Sequence, residues 1–182
     1  MRELSLNILD LAQNSISADA SLVKIIVDSV LDKNILRVLI KDNGRGMASD
    51  DLARVQDPFF TTRTTRRVGL GIPLFAQAAT ACDGSLSIHS EPGAGTVLAA
   101  EFRLDHIDRA PLGDIASTMV ALVASNPDMD FLYMQRAGDI EFSFDTREIK
   151  AVLDGVPIND PKVLSWIRTY INDNISGPLR IE

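Results

Sequence analysis

With 182 residues, 46% of them hydrophobic, the chain can build one core, or one core and a small second unit. Its net charge of −7 argues against a nucleic-acid partner, because backbone binding needs a basic face. One cysteine, Cys82, excludes an internal disulfide and a cysteine metal cage; no apolar run is long enough to span a membrane, and the cytoplasm is the expected compartment.

The 4–17 segment reads as a helix, with Leu4, Ile8, Leu11, Ala12 and Ile16 on one apolar stripe. Asn7, Asp10 and Asn14 fall three and four apart on a neighbouring face, so their side chains can meet one ligand. Strands are expected over 22–28 and 35–42, joined at Asp32-Lys33-Asn34. The second strand runs into Asp42-Asn43-Gly44-Arg45-Gly46-Met47, which puts a carboxylate at the strand exit, within reach of a ligand. Gly44 and Gly46 would let backbone pass where a side chain would strike that ligand.

A short helix over 50–55, capped by Ser49, comes next, then an irregular loop over 57–68. From 58 to 82 there is no acidic residue, yet Arg63, Arg66 and Arg67 lie inside; a basic island in an acidic chain suits a compact anion. A helix over 70–82 would bury Leu70, Leu74, Phe75, Ala78, Ala79 and Cys82, with Pro73 tolerated in its first turn and Gly84 ending it. Strands over 85–90 and 96–104 follow. In the second of these, Leu98, Ala100, Phe102 and Leu104 alternate with polar residues, as on a sheet covered on one face. The expected architecture is α/β: a two-layer α/β sandwich, helices on one face of a mixed sheet, over residues 1–108.

The run Ala110-Pro111-Leu112-Gly113 reads as a linker to a smaller α/β unit over 112–182. Its expected elements are a helix over 115–124, strands over 131–136 and 140–144, and a short helix opened by the capping box Asp145-Thr146-Arg147-Glu148. A last helix starts at Asp160-Pro161, with Val163, Leu164, Ile167, Tyr170 and Ile171 on one stripe and Trp166 and Tyr170 expected in the core. No catalytic constellation stands out in this unit.

Five motifs stand in order in the first part: Asp10-Leu11-Ala12-Gln13-Asn14-Ser15, Asp42-x-Gly44-x-Gly46, Pro58-Phe59-Phe60-Thr61-Thr62-Arg63, Gly69-Leu70-Gly71, and Gly93-x-Gly95-Thr96. Together they resemble the Bergerat ATP-binding fold of gyrase, Hsp90, sensor histidine kinases and MutL, over residues 3 to about 104. The loop and the following Gly-Leu-Gly-Ile are most similar to the catalytic domains of sensor histidine kinases, and Asn14-Ser15-Ile16-x-Ala18 is similar to MutL.

The resemblance implies an ATP and Mg²⁺ site whose chemistry can be argued residue by residue. Asn14 offers a neutral oxygen to a Mg²⁺ that bridges phosphates. Asp42 accepts from the adenine amine, where guanine would present an oxygen, and Thr96 reaches the same neighbourhood. Gly69, Leu70 and Gly71 lead into a helix N-terminus that presents N–H groups to phosphates. Thr61, Thr62 and Arg63 occupy the lid, Arg63 reaching the phosphates, while Phe59 and Phe60 anchor it.

Two departures from the family matter. Gyrase and MutL carry a glutamate four residues before the Asn14 position to activate water; here that position holds Asp10, the candidate catalytic base. A rival register, Glu3 with Asn7, keeps the glutamate spacing but sits seven residues further from the first strand. Second, the motifs begin at residue 3, so no phosphoacceptor hairpin is expected ahead of them, and His89 and His106 are expected to face solvent. The expectation is a histidine-kinase-like protein that transfers phosphate to a partner protein in trans. An ATP-gated binding module, and a slow ATPase coupled to homodimer formation, are the alternatives.

Overall fold

The computed structural model describes residues 3–55 and 71–181, apart from the side chain of Pro178. Helix α1 spans Leu4–Ser17, and its stripe places Leu4, Ile8, Leu11 and Ala12 in the core. Strands β1 (Leu22–Val30) and β2 (Ile35–Asp42) pair antiparallel around a left-handed Asn34, which asparagine tolerates better than most residues. Their strict alternation buries Val23, Ile25 and Val27 against Leu36, Val38 and Ile40, while the opposite set is nowhere fully buried.

Helix α2 spans Ser49–Arg54, so Ser49 is its first residue and Ala48, without a capping side chain, precedes it. Helix α3 spans Gly71–Thr80, β3 Ser85–Glu91 and β4 Gly95–Arg103. Phe75 and Ala79 of α3 and Cys82 of the turn after it are buried, and Phe75 packs on Phe102 with ring centres 5.4 Å apart. Leu74, expected on the buried side, is 40% exposed: the covered stripe of so short a helix is narrow, and Phe75 fills it.

Beyond residue 110 come α4 (Ile115–Ser125), β5 (Asp130–Ala137), β6 (Ile140–Asp145), α5 (Thr146–Val152) and α6 (Pro161–Asn174). The described strands form one six-stranded sheet in the order β3-β4-β2-β1-β5-β6, with β5 parallel to β1 and every other pair antiparallel. The 112–182 segment therefore does not fold beside the first sheet; it extends that sheet. One hydrophobic core runs from Leu4 and Phe102 through Ile115 and Met119 to Tyr133, Phe144 and Ile171.

The expected linker is part of this body. Pro111 and Leu112 carbonyls accept from the N–H groups of Leu4 and Ser5 at 2.9 and 2.8 Å, satisfying donors that the first turn of α1 leaves unpaired. Trp166, expected in the core, is 48% exposed and stacks on Tyr170, which in turn tilts against Phe142. Among the described residues no helix is long and apolar enough to cross a membrane.

Candidate functional site

The inner face of the sheet ends, on its β3-β4-β2 side, in a row of hydroxyls and a carboxylate. Ser90, Thr96 and Asp42 are cross-strand neighbours there, and the next row inward is Ile88, Leu98 and Ile40. Above these rows lies a cavity of about 570 Å³, within the roughly 300–1,000 Å³ usual for small-ligand sites. Helix α1 contributes Leu11, Asn14 and Ser15 to its walls, the Asp42 turn contributes Gly46 and Met47, and α3 contributes Ile72. Apolar side walls closing on a few fixed polar groups suit a flat heteroaromatic ring.

Asp42 is the most constrained of those polar groups. It is 7% exposed, and three donors converge on it. Its Oδ1 accepts from the N–H of Gly44 at 3.0 Å and of Thr96 at 3.2 Å; its Oδ2 accepts from Ser15 Oγ at 2.7 Å. A carboxylate held at both oxygens keeps one orientation, so its remaining acceptor capacity points at a fixed spot in the cavity.

The two glycines after Asp42 are required for a reason the sequence does not show. A Cβ on Gly46, whose φ is +66°, would lie 1.9 Å from the carbonyl oxygen of Glu91, and one on Gly44 would lie 2.6 Å from that of Ala18. The close approach is to the protein's own backbone, which the turn packs against on both sides, and the expected ligand collision is not what selects glycine here. Arg45 N–H donating to Ala18 O at 2.8 Å and Gly93 N–H donating to Arg45 O at 2.7 Å show how tightly the turn is clamped.

Of the residues singled out in the sequence, Asn14, Asp42, Gly46 and Thr96 line this one cavity, with Gly44 buried directly behind. Gly71 opens α3, and its Cα faces α1 closely enough that a Cβ would sit 3.7 Å from Asp10 Cβ and 3.9 Å from Asn14 Nδ2. Asp10 thus flanks the start of α3 without lining the cavity. Asn7 does not join them; it is 4% exposed. The rival register fails on geometry, since Glu3 Oε2 accepts from Ser5 Oγ at 3.2 Å and Asp114 N–H at 3.3 Å, at the far end of α1. Thr61, Thr62, Arg63, Arg66, Arg67, Gly69 and Leu70 lie outside the described residues, as do Phe59 and Phe60.

Ser15, quoted above only within its motifs, and Ser90 hold the polar groups of the site, although no role was expected of either. Both left a trace in the pattern. Ser15 is a small hydroxyl on the buried stripe of α1, in series with Leu4, Ile8 and Leu11, and Ser90 continues the inward set Leu86 and Ile88 of β3. A hydroxyl where the period calls for an apolar residue, near a strand-end carboxylate, is the signal.

The profile of the family described as histidine kinase-, DNA gyrase B-, and HSP90-like ATPase matches residues 1–106, more than half of the chain. The chain belongs to this family. As a member it carries an ATP-binding, histidine-kinase-like ATPase domain, and the cavity described above lies within the matched residues. Among curated relatives it is 39% identical over 108 residues to the sensor protein kinase FleS of Pseudomonas aeruginosa, covering 59% of this chain and 26% of that protein. It is 36% identical over 81 residues to the non-motile and phage-resistance protein of Caulobacter vibrioides, covering 42% of this chain and 10% of that one. The chain thus spans about a quarter or less of these relatives. A solved N-terminal domain of a DNA repair protein shares the fold, with a TM-score of 0.54 at 14% identity, over 79% of this chain and 52% of that one.

His89 and His106 sit apart from the cavity. His89 is on the outer face of β3, and His106 follows the opposite end of β4. His106 does not face solvent as expected: its side chain is only 18% exposed, Nδ1 accepts from Asp108 N–H at 3.1 Å, and Nε2 lies 3.8 Å from Asp83.

Proposed function

We propose that this ATPase-family chain binds Mg-ATP in the Asp42 cavity and transfers the γ-phosphate to a separate partner protein. The observation that carries the nucleotide part is the locked Asp42 carboxylate at the floor of an apolar slot, a receptor for an exocyclic amine. Asn14 lines the cavity beside the N-terminal end of α3, where it would supply one oxygen to Mg²⁺ on the phosphates. Among the described residues no three His, Cys, Asp or Glu side chains gather to hold a metal; a cation here takes its other ligands from phosphate and water, as Mg²⁺ commonly does. The transfer itself is a matter of positioning and charge neutralisation. The partner-directed part is supported by relatives named as a sensor protein kinase and a sensor histidine kinase, and by His89 lying on the face of the sheet away from the cavity and His106 beyond the opposite end of β4. Such a transfer belongs in the cytoplasm, where ATP is.

Titration calorimetry with Mg-ATP tests the pocket. Asp42→Asn should weaken ATP by roughly tenfold or more, because an amide turns a donor toward one of the three donors it now receives. Equal affinity in both proteins would remove the pocket assignment. Incubation with γ-labelled ATP and candidate partner proteins tests the transfer.

A second reading, a slow ATPase, is favoured by one observation: Asp10 flanks the start of α3, where the γ-phosphate would dock. Steady phosphate release that disappears in Asp10→Ala would select it. Partner binding that depends on ATP and survives that substitution would instead select nucleotide gating.

A further inference from the structure

Ser90 does not line the cavity, yet its hydroxyl decides what Thr96 can show to a ligand. A serine hydroxyl has one hydrogen and two lone pairs. Ser90 Oγ donates its hydrogen to the carbonyl of Gly95 at 3.0 Å and accepts from the N–H of Met47 at 2.9 Å. Thr96 Oγ1 lies 2.9 Å from the same oxygen. With the serine hydrogen already engaged by Gly95, the hydrogen in the Ser90–Thr96 bond is the threonine's. Thr96 therefore directs its hydrogen away from the cavity that it lines, and its oxygen offers only lone pairs.

Asp42, its cross-strand neighbour, is in the same condition by a different route. Its Oδ1 is filled by two backbone N–H groups and its Oδ2 holds the Ser15 hydroxyl with acceptor capacity to spare. We infer that Ser90 is a positioning residue that makes the floor of this pocket acceptor-only, so that it takes a purine with a 6-amino group and repels one with a 6-oxo group. This inference rests on the nucleotide reading of the cavity and adds to it the source of the base choice: the selectivity lies in a saturated serine behind the wall as much as in the carboxylate. The unpaired acceptor that a 6-oxo group would meet costs affinity for the same reason that any buried, unmatched polar pair does.

The test compares ATP with ITP, which carries a 6-oxo group, by calorimetry with magnesium. Ser90→Ala frees the Thr96 hydrogen to turn into the cavity and donate to a 6-oxo group. The preference for ATP over ITP should fall by roughly tenfold, about the worth of one matched hydrogen bond, with ITP gaining as ATP loses. Ser90→Thr, which keeps the hydroxyl, should restore the native preference. If Ser90→Ala does not fold, Thr96→Val reads the same point: it should weaken ATP and strengthen ITP, since the acceptor that serves the 6-amino group and opposes the 6-oxo group is lost. An unchanged ATP-to-ITP ratio in Ser90→Ala, or a Thr96→Val protein that loses ITP more than ATP, overturns the inference while native ATP binding stands. No ATP binding by the native protein would overturn the nucleotide reading, and this inference with it.

Discussion

Two parts of the same sheet treat their buried polar groups in opposite ways. Around β2 and β4, Ser15 and Thr96 both donate to Asp42, and the group still directs acceptors into a cavity. Around β5 and β6, Tyr133 donates to Gln135 Oε1, Gln135 Nε2 donates to the Leu179 carbonyl at 2.5 Å, and Thr146 Oγ1 accepts from Phe131 N–H at 2.8 Å. These three are each no more than 1% exposed, and their bonds tie the C-terminal segment and the start of α5 to the sheet. One set of polar groups is fixed in order to face a ligand; the other is fixed in order to close the chain on itself. Burial of a polar side chain therefore does not mark a site. Acceptor capacity left over and aimed at an apolar slot does.

The strongest way to break this comparison is to separate the two parts. A chain ending at Asp108 would strip β1 of its parallel partner β5 and uncover the faces of α1 that α4 covers. It should show no cooperative unfolding transition by circular dichroism and no ATP binding, because the core is shared. A truncated chain that melts sharply and binds ATP would mean that the β5-β6 part is an appendage rather than half of the scaffold.

A smaller perturbation sharpens the division of labour. Gln135→Leu leaves the Tyr133 hydroxyl and the Leu179 carbonyl without their partner, which should cost about 1–3 kcal/mol in urea denaturation. Its ATP affinity, measured under native conditions, should equal that of the unaltered protein, since Gln135 lies outside the cavity beside Asp42. An ATP affinity that falls with stability would show that the two parts are coupled through the sheet.

The same division explains what could be read in advance. The bounds of α1 and of β2 follow from local periodicity, and the structure returns them at 4–17 and 35–42. The Asp42 turn was legible because glycine at fixed offsets from a strand-end carboxylate is a local pattern. The β1–β5 pairing was not, since it joins residues more than a hundred apart and leaves no mark on either strand beyond ordinary alternation. Nor could the pattern say that Gly44 and Gly46 pack against Ala18 and Glu91, or that Ser90 lies behind Thr96, because each depends on which strands become neighbours. Trp166 misleads for the opposite reason: a large aromatic side chain on an amphipathic helix reads as core, but the sheet ends at β6 and nothing among the described residues extends far enough to cover the indole.

The joint between the two parts supplies the smallest effect and a pH signature. Asp114 caps α4, accepting from Ser117 N–H at 2.8 Å and Ser117 Oγ at 2.5 Å, and these bonds hold its carboxyl below the ordinary carboxylate range. Its own N–H donates to Glu3, so the cap of α4 is tied to the residue that precedes α1. Asp114→Ala should cost about 1 kcal/mol, the usual worth of an N-cap side chain. A carboxyl lowered in the folded state stabilises it above its unfolded value of about 3.9, and that contribution disappears as pH falls through the lower folded value. The stability gap between native and Asp114→Ala proteins, followed by denaturant midpoint, should therefore be constant from neutral pH to about 5 and close below about 4. A gap that persists in acid would assign the cap's worth to the shape of the turn at Gly113 and Asp114 rather than to the charge it carries.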